Sequence, residues 1–144
     1  MWYRKYKEDP VYHKLLSIRE EIAKAAQPIY DSWDEEYKEV IGSGGICNEI
    51  AEQIYYVVAK YFPKYETRTI TQESPNHELV LLIPIEDYDE RDDSESLSGF
   101  EIDIPHSVYE IYNGEYNWDK KEGVTFDADC VSIEPVEIAK ENIE

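Results

Sequence analysis

The sequence has no long apolar run, few cysteines and few basic residues, and each shortage excludes a class of protein. No apolar run approaches the roughly 18 residues that a membrane-spanning helix needs. The two cysteines, Cys47 and Cys130, allow one disulfide at most, and we expect both to be free thiols in a cytoplasmic protein. The start of the chain has no apolar stretch typical of a signal peptide, which favours the same location.

Basic residues are scarce, because 14 Lys and Arg stand against 33 Asp and Glu, for a net charge of -19. Such a surface repels nucleic-acid phosphates and anionic membranes, so we expect direct binding to neither. The net negative charge is consistent with a surface that only keeps the protein in solution. It is also consistent with a non-catalytic acidic binding protein, a nucleic-acid mimic or an inhibitor that occupies a groove on a basic protein partner. That alternative function stays open.

The 144 residues predict a single domain. Its pattern has three parts, a helical N-terminal part over 1–41, a core over 42–135 and a charged tail over 136–144. Thirteen Tyr, three Trp and three Phe supply large packing groups for that core.

Helix signals dominate the first half. Asp9-Pro10 is typical of a helix start, and apolar residues at three- and four-residue intervals predict a helix over 10–26 that Pro28 interrupts. A shorter helical segment is predicted over 33–41. A third helix is predicted at about 47–62, where Pro63 follows.

Strand signals dominate the second half. Alternating β-branched residues predict a strand over 67–71, and a segment that is apolar on both faces predicts a central strand over 77–85. An acidic loop over 86–98 separates this strand from a cleanly alternating one over 99–104, and a last strand is predicted over 124–133. Helices followed by an antiparallel sheet predict an α+β fold, with the N-terminal helices packed on the sheet.

Cys47 is the first candidate for chemistry. It is predicted at the first turn of the third helix, directly after Gly44 and Gly45. The positive end of a helix favours a thiolate, and its unpaired N–H groups can hold an oxyanion. The glycines leave room for a substrate to approach. Because many cysteines are simply buried, a packing role for Cys47 stays open.

His77 opens the strongest predicted strand, where an imidazole can serve as the base for a thiol. If the two strands around the acidic loop form a hairpin, a small shift in register brings Asp103 or Glu101 near His77. A carboxylate there orients the imidazole and stabilises its cation. The alternation places both acids on one face and does not choose between them. His106 can replace His77 if the register differs.

Three segments, in this order along the chain, resemble the papain-like cysteine peptidase superfamily. They are Gly44–Ala51, Asn76–Val80 and Phe100–Pro105. More narrowly, the cysteine–histidine–aspartate order resembles its transglutaminase-like branch and small phage- or bacterium-encoded members. The resemblance covers roughly 42–135. It implies that the helix carrying Cys47 packs on an antiparallel sheet bearing His77 and Asp103, and that acyl groups are transferred through a thioester without a cofactor.

The expected function is therefore that of a cysteine-dependent amide hydrolase or acyl transferase. Its substrate is a peptide or protein amide, Cys47, His77 and Asp103 are catalytic, and Gly44 and Gly45 contact the substrate. Papain itself holds the oxyanion with a side-chain amide that precedes its nucleophile.

The remaining polar residues give weaker signals. Gln27 and Asn48 are the candidate amides for the oxyanion. The acidic loop resembles a calcium site in composition, but it lacks the mid-loop glycine and final glutamate of an EF-hand. The cysteines and histidines show no paired spacing typical of zinc, so no metal is expected. Cys130 is expected to pack on the last strand.

Overall fold

The computed structural model describes five stretches of the chain, residues 6–32, 46–72, 77–83, 96–112 and 118–139. The predicted helical segment over 33–41 lies outside them, as do Gly44 and Gly45 and most of the acidic loop and the charged tail.

Two consecutive helices replace the single helix predicted over 10–26. They are α1, Pro10–Ser17, and α2, Arg19–Ser32, and they meet at Ile18. As expected, Asp9 caps α1, where its Oδ1 accepts a hydrogen bond of 2.8 Å from the N–H of Val11. The prediction that Pro28 interrupts the helix is wrong. Pro28 lies inside α2 on its exposed side, where water can satisfy the carbonyl that its missing N–H leaves without a partner.

The other helices are α3, Cys47–Tyr61, and the single turn α4, His106–Tyr109. Helix α3 agrees with its predicted bounds to within one residue. Its buried residues recur at helical spacing along one face. They are Cys47, Ile50, Ala51, Ile54, Val57 and Val58.

Six strands form two antiparallel sheets among the described residues. They are β1, Glu66–Gln72; β2, His77–Ile83; β3, Ser96–Asp103; β4, Glu110–Tyr112; β5, Trp118–Lys120; and β6, Ser132–Ala139. The larger sheet has the order β1-β2-β3-β6, and β4 pairs with β5 alone. The α+β class is confirmed. The strand predicted over 124–133 is largely wrong, because its middle forms the 3₁₀ turn Ala128–Cys130 and β6 begins only at Ser132.

The core lies between the sheet and the helical layer of α1, α2 and α3. From β2 and β3 it receives Val80, Leu82, Phe100 and Ile102. The intervening side chains of Leu79 and Leu81 are also buried, which confirms the prediction of a strand apolar on both faces. No helix in the described part of the chain is long and apolar enough to cross a bilayer.

The antiparallel register positions the candidate site. Val80 lies opposite Ile102 and Leu82 lies opposite Phe100, so the start of β2 and the end of β3 share one end of the sheet. Helix α4 and strand β4 follow β3 directly. The polar side chains of these segments therefore meet near the beginning of α3.

Candidate active site

A thiol and two imidazoles meet at this end of the sheet. One donor atom from each of Cys47, His77 and His106 lies within 4.8 Å of the other two. Cys47 is 8% exposed and His77 is 7% exposed, so the pair is almost shielded from water. The structure thus brings the predicted nucleophile and the predicted base together, and it adds the histidine that the sequence offered only as a substitute.

Asp103 holds one side of the His77 ring. The Nε2 atom of His77 lies 2.9 Å and 2.8 Å from the two carboxylate oxygens of Asp103. Because a carboxylate accepts, Nε2 carries the proton and Nδ1 carries the lone pair. His77 Nδ1 is buried and has no hydrogen-bond partner among the described residues. It is therefore the ring nitrogen that can accept a proton from a thiol.

Glu101, the other acid that the alternation allowed, does not contact His77 in this way. It lies opposite Glu134 of β6 and opposite Leu81 of β2. Burial raises the pKa of the Glu101 carboxyl, and the charges of Asp103 and Glu134 raise it further. Of the two acids, Asp103 is thus the partner of the imidazole.

His106 has a carboxylate partner of its own. Its Nδ1 lies 3.3 Å from Oε2 of Glu110, four residues further along the chain. Its ring stands against that of His77, with the ring centroids 4.0 Å apart and the planes tilted by 50°. Glu110 is only 2% exposed and was not singled out from the sequence. The sequence signal that could have identified Glu110 is its position four residues after His106 in an otherwise aromatic and apolar stretch.

Cys47 is held in its neutral form. Burial raises the pKa of its thiol, and the negative charges of Glu110 and Glu78 raise it further. The backbone N–H groups of Glu78 and Asn48 lower this pKa, but burial outweighs them. The helix N-terminus was expected to favour a thiolate; in the folded site, loss of water prevails. Burial likewise raises the pKa of Tyr109, which therefore keeps its proton beside the cluster.

The raised pKa of Cys47 predicts an alkaline profile for alkylation by iodoacetamide. Because only the thiolate reacts, the rate should be low at neutral pH and rise with pH, with a midpoint above that of a free cysteine peptide measured alongside. The measurement uses Cys130→Ser protein with a metal chelator present. Glu110→Gln should lower the midpoint, because it removes a negative charge near the sulfur. A midpoint below that of the free peptide would contradict this account.

Of the two candidate side-chain amides for the oxyanion, only Asn48 lies next to Cys47 in the chain. Gln27 is engaged elsewhere, since its Oε1 accepts from the N–H of Phe126 at 2.7 Å and its Nε2 donates to the carbonyl of Val124 at 3.2 Å. Asn48 is exposed and adjoins Cys47 in the first turn of α3. Asn48 is thus the one side-chain amide of the pair that remains near the nucleophile.

Cys130 is separate from this cluster of donors. It lies in the 3₁₀ turn before β6 rather than on the last strand, and it packs against the core half-buried. Its sulfur lies 3.5 Å from Oδ1 of Asp127. Cys130 therefore offers a matched thiol control for experiments on Cys47.

Comparisons with protein-family models, with curated proteins and with solved structures found no match for this chain. Any functional assignment therefore depends on the geometry of the cluster itself.

Proposed function

We propose that the protein is a cysteine-dependent acyl-transfer enzyme, an amide hydrolase or acyl transferase acting on peptide or protein amides. One observation carries the proposal. Asp103 holds His77 through Nε2, and the buried Nδ1 is left for the thiol of Cys47. A papain-like core is part of the same proposal, supported by a helix that begins at the cysteine and packs on an antiparallel sheet bearing the histidine and the aspartate.

The first half-reaction forms a thioester. The Cys47 sulfur attacks the substrate carbonyl while its proton passes to Nδ1 of His77. The negative charge on the carbonyl oxygen faces the first turn of α3, where backbone N–H groups lack helical partners. His77 then gives its proton to the departing amine, the carbon–nitrogen bond breaks and the acyl group stays on sulfur.

The second half-reaction releases the acyl group. His77 Nδ1 takes a proton from water or from an acceptor amine, whose oxygen or nitrogen attacks the thioester carbonyl. Collapse of this intermediate breaks the carbon–sulfur bond and returns the proton to Cys47. In both halves Asp103 stabilises the imidazolium that forms. Because the thiol is neutral at rest, His77 acts as a general base at each attack.

The test uses p-nitrophenyl acetate as an activated acyl donor. Wild-type protein should release about one equivalent of p-nitrophenol per chain in a rapid burst, and mass spectrometry should find the acetyl group as a thioester on the peptide containing Cys47. A labelled acetyl group found only on lysine, or no burst at all, would contradict the proposal and leave the acidic binding protein with a basic partner as the better account.

The two supporting residues should affect this burst unequally. His77→Ala should slow it by about 10²–10⁴-fold, because the general base is lost. Asp103→Asn should slow it by roughly tenfold or more and leave the burst amplitude intact, because the imidazole remains but is poorly oriented. His13→Ala, at an exposed histidine of α1, is the control and should not change the rate. Equal rates in wild type and His77→Ala would exclude His77 as the base.

A further inference from the structure

We infer that Cys47, His77 and His106 also form a binding site for a divalent transition metal, with Zn²⁺ as the expected ion. Their donor atoms all lie within 4.8 Å of one another. Sulfur and imidazole nitrogen are the donors that zinc prefers. In a tetrahedral zinc site such donors lie about 3.3–3.6 Å apart, so side-chain adjustments of roughly 1 Å would close the site around the ion.

The strongest support for a metal site is the buried carboxylate of Glu110, which lies beside His106. Histidines that bind a metal usually donate their other ring N–H to a carboxylate, which fixes the tautomer and strengthens the ligand. His77 shows this arrangement with Asp103 at 2.8 Å, whereas Nδ1 of His106 lies 3.3 Å from Oε2 of Glu110, which is within ion-pair distance but not in hydrogen-bond geometry. The acyl-transfer mechanism needs only the first pair. A buried carboxylate on a second histidine therefore points to a second use of the cluster.

The charge balance agrees with a bound cation. When Zn²⁺ binds, the Cys47 thiol releases its proton to solvent and a zinc–sulfur bond replaces the sulfur–hydrogen bond. Zinc and the thiolate together carry one net positive charge. The nearby carboxylates of Asp103 and Glu110 are negative and would stabilise it. Three protein ligands leave a fourth position for water or another small ligand.

Bound zinc would occupy the Cys47 sulfur and the Nδ1 atom of His77, which are the two atoms that the acyl-transfer steps require. Zinc should therefore inhibit the enzyme reversibly. Only this inhibitory consequence rests on the proposed function, because zinc binding depends on the three ligands and the carboxylates beside them and does not require acyl transfer.

Binding is tested on the full, metal-free chain with Co²⁺ as a spectroscopic probe and with Zn²⁺ by calorimetry. One Co²⁺ per chain should produce a sulfur-to-cobalt charge-transfer band that Zn²⁺ removes. Cys47→Ser and His106→Ala should each weaken Zn²⁺ binding by at least about 100-fold. Cys130→Ser and His13→Ala are the matched controls and should bind zinc like wild type.

Two further variants test the outer carboxylates. Asp103→Asn and Glu110→Gln should each weaken binding by about 10–100-fold while preserving the charge-transfer band. Circular dichroism and thermal melting establish that each variant is folded, and His106→Gln replaces His106→Ala if the latter is not. Unchanged zinc affinity in a folded His106 variant would overturn the inference, as would a missing charge-transfer band in wild type.

The two proposals fail in different ways. Zinc binding with the expected ligand dependence but no p-nitrophenol burst would refute the acyl-transfer function and support the metal site. A burst that persists at saturating Zn²⁺ would refute the metal site and support the acyl-transfer function.

Discussion

Serine in place of Cys47 should abolish the p-nitrophenol burst, with a loss of roughly 10³-fold or more in the rate of acyl transfer. A hydroxyl is a far weaker acid than a thiol, and the cluster offers it no stronger base than one imidazole. The shape of the site should change little, because oxygen replaces sulfur at a buried position of the first turn of α3. The loss would therefore be chemical rather than structural.

The control for this change is Cys130→Ser. Cys130 is also a free cysteine whose pKa is raised by burial, yet its neighbour is Asp127 and not an imidazole. It should keep the full burst and the full thioester yield. A burst of equal size in Cys47→Ser and wild type would show that acetyl transfer arises elsewhere on the surface.

Replacing Phe100 by alanine should lower the free energy of unfolding by about 3–5 kcal/mol. Phe100 is fully buried on β3, and its ring stacks on that of Tyr12 in α1 at a centroid distance of 5.9 Å. The substitution removes apolar surface from the centre of the core and leaves a cavity between the sheet and the helices. In thermal unfolding, the melting temperature should fall by on the order of 10 °C.

Tyr56→Ala provides the comparison for Phe100→Ala. Tyr56 is an aromatic of similar size, but it is 56% exposed on α3. Its removal should change the stability by no more than about 0.5 kcal/mol. Equal effects of the two substitutions on urea unfolding would contradict the position of Phe100 in the core.

Patterns within a short stretch of sequence correctly predicted helix α3 and strand β2. The apolar face of α3 and the following Pro63 indicated both ends of that helix, and apolar residues on both faces of the segment indicated β2. Pro28 misled because a proline on the exposed side of a helix loses only one hydrogen bond. The prediction of the last strand failed because the segment 124–131 contacts α2 through its 3₁₀ turn and through the hydrogen bonds of Gln27 instead of pairing in a sheet.

The site was predictable only in part, because its final form depends on register and on chain reversal. Alternation placed Asp103 and Glu101 on one face, but only the pairing of β2 with β3 decides which acid reaches His77. The meeting of His106 with Cys47 requires the turn after β3 to fold back towards α3. No spacing within the sequence encodes that approach.

The hydrogen bonds of Gln27 join the helical N-terminal part to the C-terminal half of the chain. Together with the hydroxyl of Tyr30, which bonds the backbone of Lys121 and Val124, they fasten the stretch between β5 and β6 to α2. Two side chains of α2 thus form hydrogen bonds with the backbone of this stretch, as a neighbouring strand would in a sheet. The predicted boundary between 41 and 42 lies outside the described residues, and trimming the protein there would take away the anchor of the segment that leads into β6.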